Sequence, residues 1–131
     1  ILEEVRCANS VQVGTGTLST FTAAGATNLQ SGNALRIYPS TNLTQYVYYF
    51  RDPSSQALDR VALGASNAVA IATSVTNTTV FSMEDFTGNV QTNSQNNEVT
   101  SILLQIRSIA PKTGTPDSYQ VRAKVTRRNL L

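Results

Sequence analysis

The alternation of apolar and polar residues predicts β-strands over most of the chain. The clearest strand is residues 45–51, which are rich in aromatic and β-branched side chains. Residues 52–55 carry a proline where a tight turn favours it, and residues 56–61 return as a second strand, so the pair predicts an antiparallel hairpin. Other segments also predict strands: residues 17–22, 33–38, 80–86, 99–109 and 118–127.

The first residues of the chain follow a helical pattern instead. Apolar side chains recur at the spacing of a one-sided helix, at Ile1, Leu2, Val5, Ala8 and Val11. No Ser, Thr, Asp or Asn precedes this pattern to cap its free N–H groups. We therefore expect an upstream helix to continue into Ile1, with Ile1, Leu2, Val5 and Ala8 as the candidate assembly helix. The alternative is a frayed terminal helix on a small domain.

The order of these segments predicts the fold class. A chain of 131 residues forms one domain, residues 1–131. One helix followed by antiparallel strands predicts an α+β fold, in which the helix packs on one face of an antiparallel sheet. Residues 65–75 fit a strand or a helix, with a weak preference for a strand, and residues 14–16 break the helical pattern. Residues 91–97 and 111–117 predict loops.

Composition narrows the class of partner. The net charge is +2 and the basic residues are scattered, so we expect no nucleic-acid partner. Charged residues make up only 14% of the chain, and Ser, Thr, Asn and Gln replace them, as is common in extracellular β-proteins. The single cysteine, Cys7, cannot form an internal disulfide and is interpreted as a small packing residue.

The sequence offers little catalytic chemistry. It contains no histidine, which excludes Ser-His-Asp triads, Cys-His pairs and most zinc sites. We expect no enzyme activity, no metal and no cofactor. One cluster of cations near the end of the chain is a candidate basic contact patch for an acidic partner subunit: Arg122, Lys124, Arg127 and Arg128. The alternative is a solvated strand whose charges discourage aggregation.

The order of several segments resembles the type IV pilin-like superfamily. The chain has Tyr46-Val47-Tyr48-Tyr49-Phe50 followed by Leu58-Asp59-Arg60, and residues 69–75 then lead to Phe81. It is most similar to the minor pilins and minor pseudopilins of the PilW and general-secretion J type, whose pattern is matched in order by Leu58, Arg60, Ile71, Val75, Phe81, Val99, Ile102 and Leu104. Residues 119–129 also resemble the tails of prepilin-like proteins of the Verrucomicrobia type.

This resemblance implies assembly rather than catalysis. A pilin-like subunit carries an apolar N-terminal helix that anchors it in the bacterial inner membrane and later packs in the core of a filament. Here that helix would lie upstream of Ile1, and residues 1–131 would form the periplasmic or extracellular domain. The resemblance further implies a pilin-like fold, with other pilin or pseudopilin subunits as partners.

Two other functions compete with this one. A secreted, β-rich binding domain of the adhesin type could use Tyr46, Tyr48 or Tyr49 to stack against a carbohydrate. Because Tyr46 and Tyr48 alternate, they share one side of the strand, and that side could equally be the core. A structural protein of a virion or phage tail is the third possibility.

Overall fold

The computed structural model describes residues 1–94, 99–109 and 116–128, and these residues form a β-sandwich. Within these ranges there is a single short helix, α1, which spans Leu2–Arg6. The strands are β1 (Ser10–Gly16), β2 (Phe21–Ala23), β3 (Ser31–Gly32), β4 (Ala34–Tyr38), β5 (Val47–Arg51), β6 (Leu58–Val61), β7 (Ala68–Ala72), β8 (Phe81–Glu84), β9 (Val99–Ile109) and β10 (Pro116–Thr126).

The predicted α+β, pilin-like fold is wrong. The strands form a six-stranded sheet in the order β2-β1-β4-β5-β6-β7 and a four-stranded sheet in the order β10-β9-β8-β3. The core lies between these sheets and is built from buried side chains of both, among them Leu35, Tyr49, Phe81, Met83 and Ile102. The sequence predicted that the helix would cover one face of the sheet. A five-residue helix is too small for that, and the second sheet covers the larger one.

Several local predictions are confirmed. β5 and β6 pair antiparallel, as the turn at residues 52–55 predicts. Residues 65–75 contain strand β7, so the preference for a strand is correct. β9 has the predicted bounds. Residues 95–97 and 111–115 of the two predicted loops lie outside the described residues, whereas residues 116 and 117 belong to β10.

The start of the chain is less helical than its pattern predicts. The helix ends at Arg6, and β1 begins at Ser10 and pairs antiparallel with β4, with Val11 opposite Ile37. Residues 14–16 therefore continue a strand rather than break a helix. Cys7 is exposed, so its interpretation as a packing residue is wrong. In the described part of the chain no helix is long and apolar enough to cross a bilayer.

Asn33 holds the corner where the chain passes from the smaller sheet to the larger. Its side-chain amide donates to the carbonyl oxygens of Gly16 at 2.7 Å and Arg51 at 3.0 Å. Its side-chain oxygen accepts from the Gly16 N–H at 2.9 Å. Gly32, just before this corner, lies so close to Gly14 that a Cβ at Gly32 would be 1.9 Å from the Gly14 carbonyl oxygen. The two sheets thus touch backbone to backbone at this corner.

Candidate functional site

The beginning of the chain is packed onto the sandwich. Val5 and Ala8 are buried in the core, and Ile1 packs against the same cluster. Leu2 is 40% exposed. Of the four residues of the candidate assembly helix, three therefore contact the domain itself, and Leu2 is the one that presents apolar surface to the outside.

A polar network fixes the same helix to β5 and β6. The Arg60 Nη2 atom lies 2.8 Å from Glu4 Oε2 in an ion pair, and Arg60 Nε donates to the Tyr49 hydroxyl at 2.9 Å. That hydroxyl in turn donates to Glu4 Oε1. The sequence resemblance drew attention to Tyr49 and Arg60, but it gave no sign of their common partner on the helix.

This network shifts the pKa values of two of its groups, the Glu4 carboxyl and the Tyr49 hydroxyl. Partial burial favours the neutral form of Glu4, yet hydrogen bonds from Arg60 and Tyr49 and the charge of Arg60 outweigh it, so the pKa of Glu4 lies below its ordinary value. Burial, reinforced by the bond to Glu4, raises the pKa of Tyr49 to about 12. Near neutral pH the network therefore contains a carboxylate, a guanidinium and a neutral phenol.

The four cations of the candidate basic contact patch fall into two pairs. Arg122 and Lys124 lie on β10, and Lys124 Nζ forms an ion pair with the buried carboxylate of Glu84 at 2.7 Å. Arg127 and Arg128 lie beside the start of the chain: Arg127 donates to the Asn9 carbonyl, and the Arg128 N–H donates to the Arg6 carbonyl at 2.7 Å. Arg127 and Arg128 thus hold the end of β10 against the helix.

The aromatic residues of β5 divide between the two faces of the larger sheet. Tyr49 belongs to the core between the sheets, whereas Tyr48 and Phe50 form a second cluster on the opposite, outer face. Their rings stack with centres 5.1 Å apart. Tyr46 packs against this outer cluster. The prediction that Tyr46 and Tyr48 share one side is confirmed, and that side is not the main core.

Arg36 extends the outer cluster with a stacked cation. Its guanidinium carbon lies 4.2 Å from the centre of the Phe21 ring and 4.3 Å from that of Tyr46. The Tyr48 hydroxyl donates to the carbonyl oxygens of Thr17 at 2.8 Å and Thr20 at 3.1 Å. Burial raises the pKa of Tyr48 to about 12, although the charge of Arg36 opposes this rise.

A cavity of about 570 Å³ opens beside this cluster. Its apolar walls come from Leu18, Tyr46, Tyr48, Val61 and Leu63, and polar groups at its rim belong to Thr44, Gln45 and Ser66. This size and mixture suit a small organic ligand, which rests on apolar walls and is oriented by a few polar groups. Among the described residues no group of three His, Cys, Asp or Glu side chains is placed to hold a metal ion.

Arg36 and Leu63 were missed as candidates from the sequence. Arg36 could have been found from the alternation of side chains along its strand. Leu35 and Ile37 on either side of it point into the core, so Arg36 points to the outer face of the sheet. Leu63 lies outside the strands, and no sequence pattern assigned it to the cavity.

Comparison with known proteins adds no relative to this picture. No protein-family model matches the chain, and neither a curated protein nor a solved structure shows significant similarity to it.

Proposed function

We propose that this chain is a non-catalytic structural subunit of a bacterial filament, of the type IV pilus or type II secretion pseudopilus kind. It assembles through a hydrophobic helix that precedes Ile1 and anchors it in the inner membrane before assembly, and its partners are other pilin or pseudopilin subunits. The proposal does not rely on a pilin-like fold, because the domain is a β-sandwich.

The observation that supports this proposal is the rigid attachment of α1. A subunit that is placed by its helix needs a globular domain that keeps one orientation relative to that helix. Here Val5 is fully buried, and Glu4 is held by Arg60 and Tyr49. An upstream helix continuing through Ile1 would therefore carry the sandwich with it in a fixed direction.

The first test is the identity of the mature N-terminus. Mass spectrometry of the native protein from membranes and sheared filaments should find a methylated Phe at the head of an apolar segment of about 20 residues that runs into Ile1. A native mature protein that begins near Ile1, or that is released by an ordinary signal peptidase there, would overturn the proposal.

A charge-exchange series tests the attachment in the full-length protein. Glu4→Lys and Arg60→Glu should each lower the fraction of subunit recovered in sheared filaments, and the double variant should restore it because the ion pair is re-formed. Glu3→Lys is the matched control, since Glu3 pairs with Arg6 on the exposed side of the helix. Equal recovery of all variants would contradict a role for this contact in assembly.

The cavity beside Tyr46 supports a second candidate function, a carbohydrate-contacting binding domain. Tyr46 is the half-buried aromatic side chain of its wall, whereas Tyr48 is only 5% exposed and its hydroxyl holds the residue 17–20 turn. Tyr46→Ala therefore tests ligand binding with less risk to folding than Tyr48→Ala.

Titration with neutral and acidic oligosaccharides should show saturable binding that is lost in Tyr46→Ala. Tyr119→Ala is the matched control, because Tyr119 is 53% exposed and lies on the other sheet. The absence of binding to any member of the panel would leave the filament subunit as the only proposal.

A further inference from the structure

The two sheets have four edge strands, and these strands differ in how well they are protected against pairing with another chain. β2 and β3 end their sheets with only three and two residues. β10 is long but presents Arg122 and Lys124. β7 ends the larger sheet with Ala68-Val69-Ala70-Ile71-Ala72, which has neither a charge nor a proline. Short length and basic side chains protect an edge, and β7 has neither; its one irregularity is the residue Ile71 that the ladder with β6 skips.

The side chains of β7 add apolar surface to this open backbone. Val69 is 66% exposed and Ile71 is 47% exposed. Val69 lies opposite Arg60, which lies opposite Tyr49, so Val69 is on the core-facing side of the sheet. The four-stranded sheet is narrower than the six-stranded one and leaves Val69 uncovered.

The chain segment that contains β7 carries no charge of its own. Residues 62–83 include no Asp, Glu, Lys or Arg. The adjoining strand β6 places Asp59 opposite Ala70 and Arg60 opposite Val69, and Arg60 is already paired with Glu4. An uncharged second copy of β7 adds no like charge to this edge. The other described edges of a second copy are short or basic, which leaves its β7 as the best match for β7.

We propose that β7 pairs antiparallel with β7 of a second copy across a twofold axis near Ala70. This joins the two larger sheets into one and closes at two copies, because each copy uses its unprotected edge. Val69 of one copy then lies next to Ile71 of the other, a β-branched pair typical of stable sheets. The ladder between β6 and β7 is regular from Ala68 to Ala70 and skips Ile71, so the pairing is centred on the last regular residue, Ala70, and its Ile71 lies at the irregularity.

This proposal goes beyond the filament function and is tested on the 131-residue chain in solution. Analytical ultracentrifugation should show a reversible monomer–dimer equilibrium. Val69→Lys should raise the dissociation constant at least about tenfold, because it places two like charges near the axis. Val121→Lys is the matched control: Val121 is 46% exposed on the basic edge strand β10, and its variant should dimerise like the unmodified chain.

A cross-link tests the register. In a Cys7→Ser background, Ala70→Cys should form a disulfide-linked dimer under mild oxidation, since opposite residues across an antiparallel pair have Cα atoms about 4.5–5.5 Å apart. Gln120→Cys on β10 should not. A chain that stays monomeric at every concentration, a dimer that is unchanged by Val69→Lys, or equal cross-linking of both cysteine variants would overturn the proposal.

Discussion

The guanidinium of Arg51 donates two hydrogen bonds to the carbonyl oxygen of Val75, from Nε at 3.0 Å and from Nη2 at 2.8 Å. Arg51 ends β5 of the larger sheet, and Val75 forms a bridge to Ile106 of β9 in the smaller sheet. Arg51 is only 5% exposed. One buried cation thus ties the two sheets together through a backbone carbonyl.

Replacing this cation should cost stability. We expect Arg51→Met to lower the free energy of unfolding by about 2 kcal/mol or more, because a charge-assisted pair of bonds is lost and the Val75 carbonyl is left buried. Denaturant unfolding measures the change. Arg107→Met is the control, since Arg107 is exposed on β9 and should change the value by less than about 0.5 kcal/mol. Equal effects of the two variants would contradict this role for Arg51.

The close approach of Gly32 to Gly14 predicts a severe effect of one methyl group. A Cβ at Gly32 would lie 1.9 Å from the Gly14 carbonyl oxygen and 2.6 Å from its carbon, and backbone atoms cannot move aside. Gly32→Ala should therefore lower the free energy of unfolding by about 3 kcal/mol, or prevent folding. A thermal melt monitored by circular dichroism measures this.

Gly25→Ala provides the comparison for Gly32→Ala. The nearest atom to its new Cβ, at 2.8 Å, is the end of the Asn28 side chain, which can rotate away. Its melting temperature should stay within a few degrees of the unmodified chain. A normal melt for Gly32→Ala would mean that the two sheets do not touch at this corner.

The lowered pKa of Glu4 predicts a loss of stability in acid. The ion pair with Arg60 stabilises the folded state fully when the pH is above 4.5, the ordinary pKa of a Glu carboxyl. This stabilisation is lost as the pH falls through the lowered pKa of Glu4. Glu4→Gln should therefore be less stable than the unmodified chain at neutral pH, and the difference should shrink below pH 4.5. Urea unfolding across this range measures it. Glu3→Gln, which affects an exposed pair, should show at most a small difference.

The raised pKa values of two tyrosines predict a loss of stability at high pH. The pKa values of Tyr48 and Tyr49 are each raised to about 12, mainly by burial. A raised pKa favours the protonated phenol in the folded state, so its stabilising effect is complete below pH 10 and is lost as the pH rises from 10 towards 12. Absorbance titration should find Tyr48 and Tyr49 as late-titrating tyrosines.

Single substitutions assign those two tyrosines. Tyr48→Phe and Tyr49→Phe should each remove one late-titrating phenol, and Tyr49→Phe should also weaken the alkaline loss of stability. A late component that survives in a chain carrying both substitutions would belong to another tyrosine and would contradict this assignment.

The local elements were predictable because their signals lie close together in the chain. The β5–β6 hairpin needs only the turn at residues 52–55 and two short apolar runs, and β9 is a continuous apolar segment. The two-sheet arrangement was not predictable in this way. It depends on pairs such as β3 with β8, whose partners Gly32 and Phe81 are far apart in sequence.

The start of the chain shows how two patterns compete. Ala8 and Val11 fit a helix, and Val11 and Val13 fit a strand equally well. The segment forms a strand because β1 pairs with β4, and this pairing buries Val13 opposite Leu35. In the candidate site, too, the local pattern was predictable and the long-range packing was not. Tyr46 and Tyr48 were identified by alternation along one strand, whereas Leu63 reaches the cavity only through tertiary packing.

The corner at Asn33 has a consequence for the way in which the domain unfolds. β3 and β4 are consecutive in the chain but belong to different sheets, and Asn33 between them is bonded to both β1 and β5. Opening the smaller sheet therefore pulls on the centre of the larger one, rather than on its edge. Amide hydrogen exchange in the centres of both sheets should then report one common opening energy, as expected for a single cooperative unit.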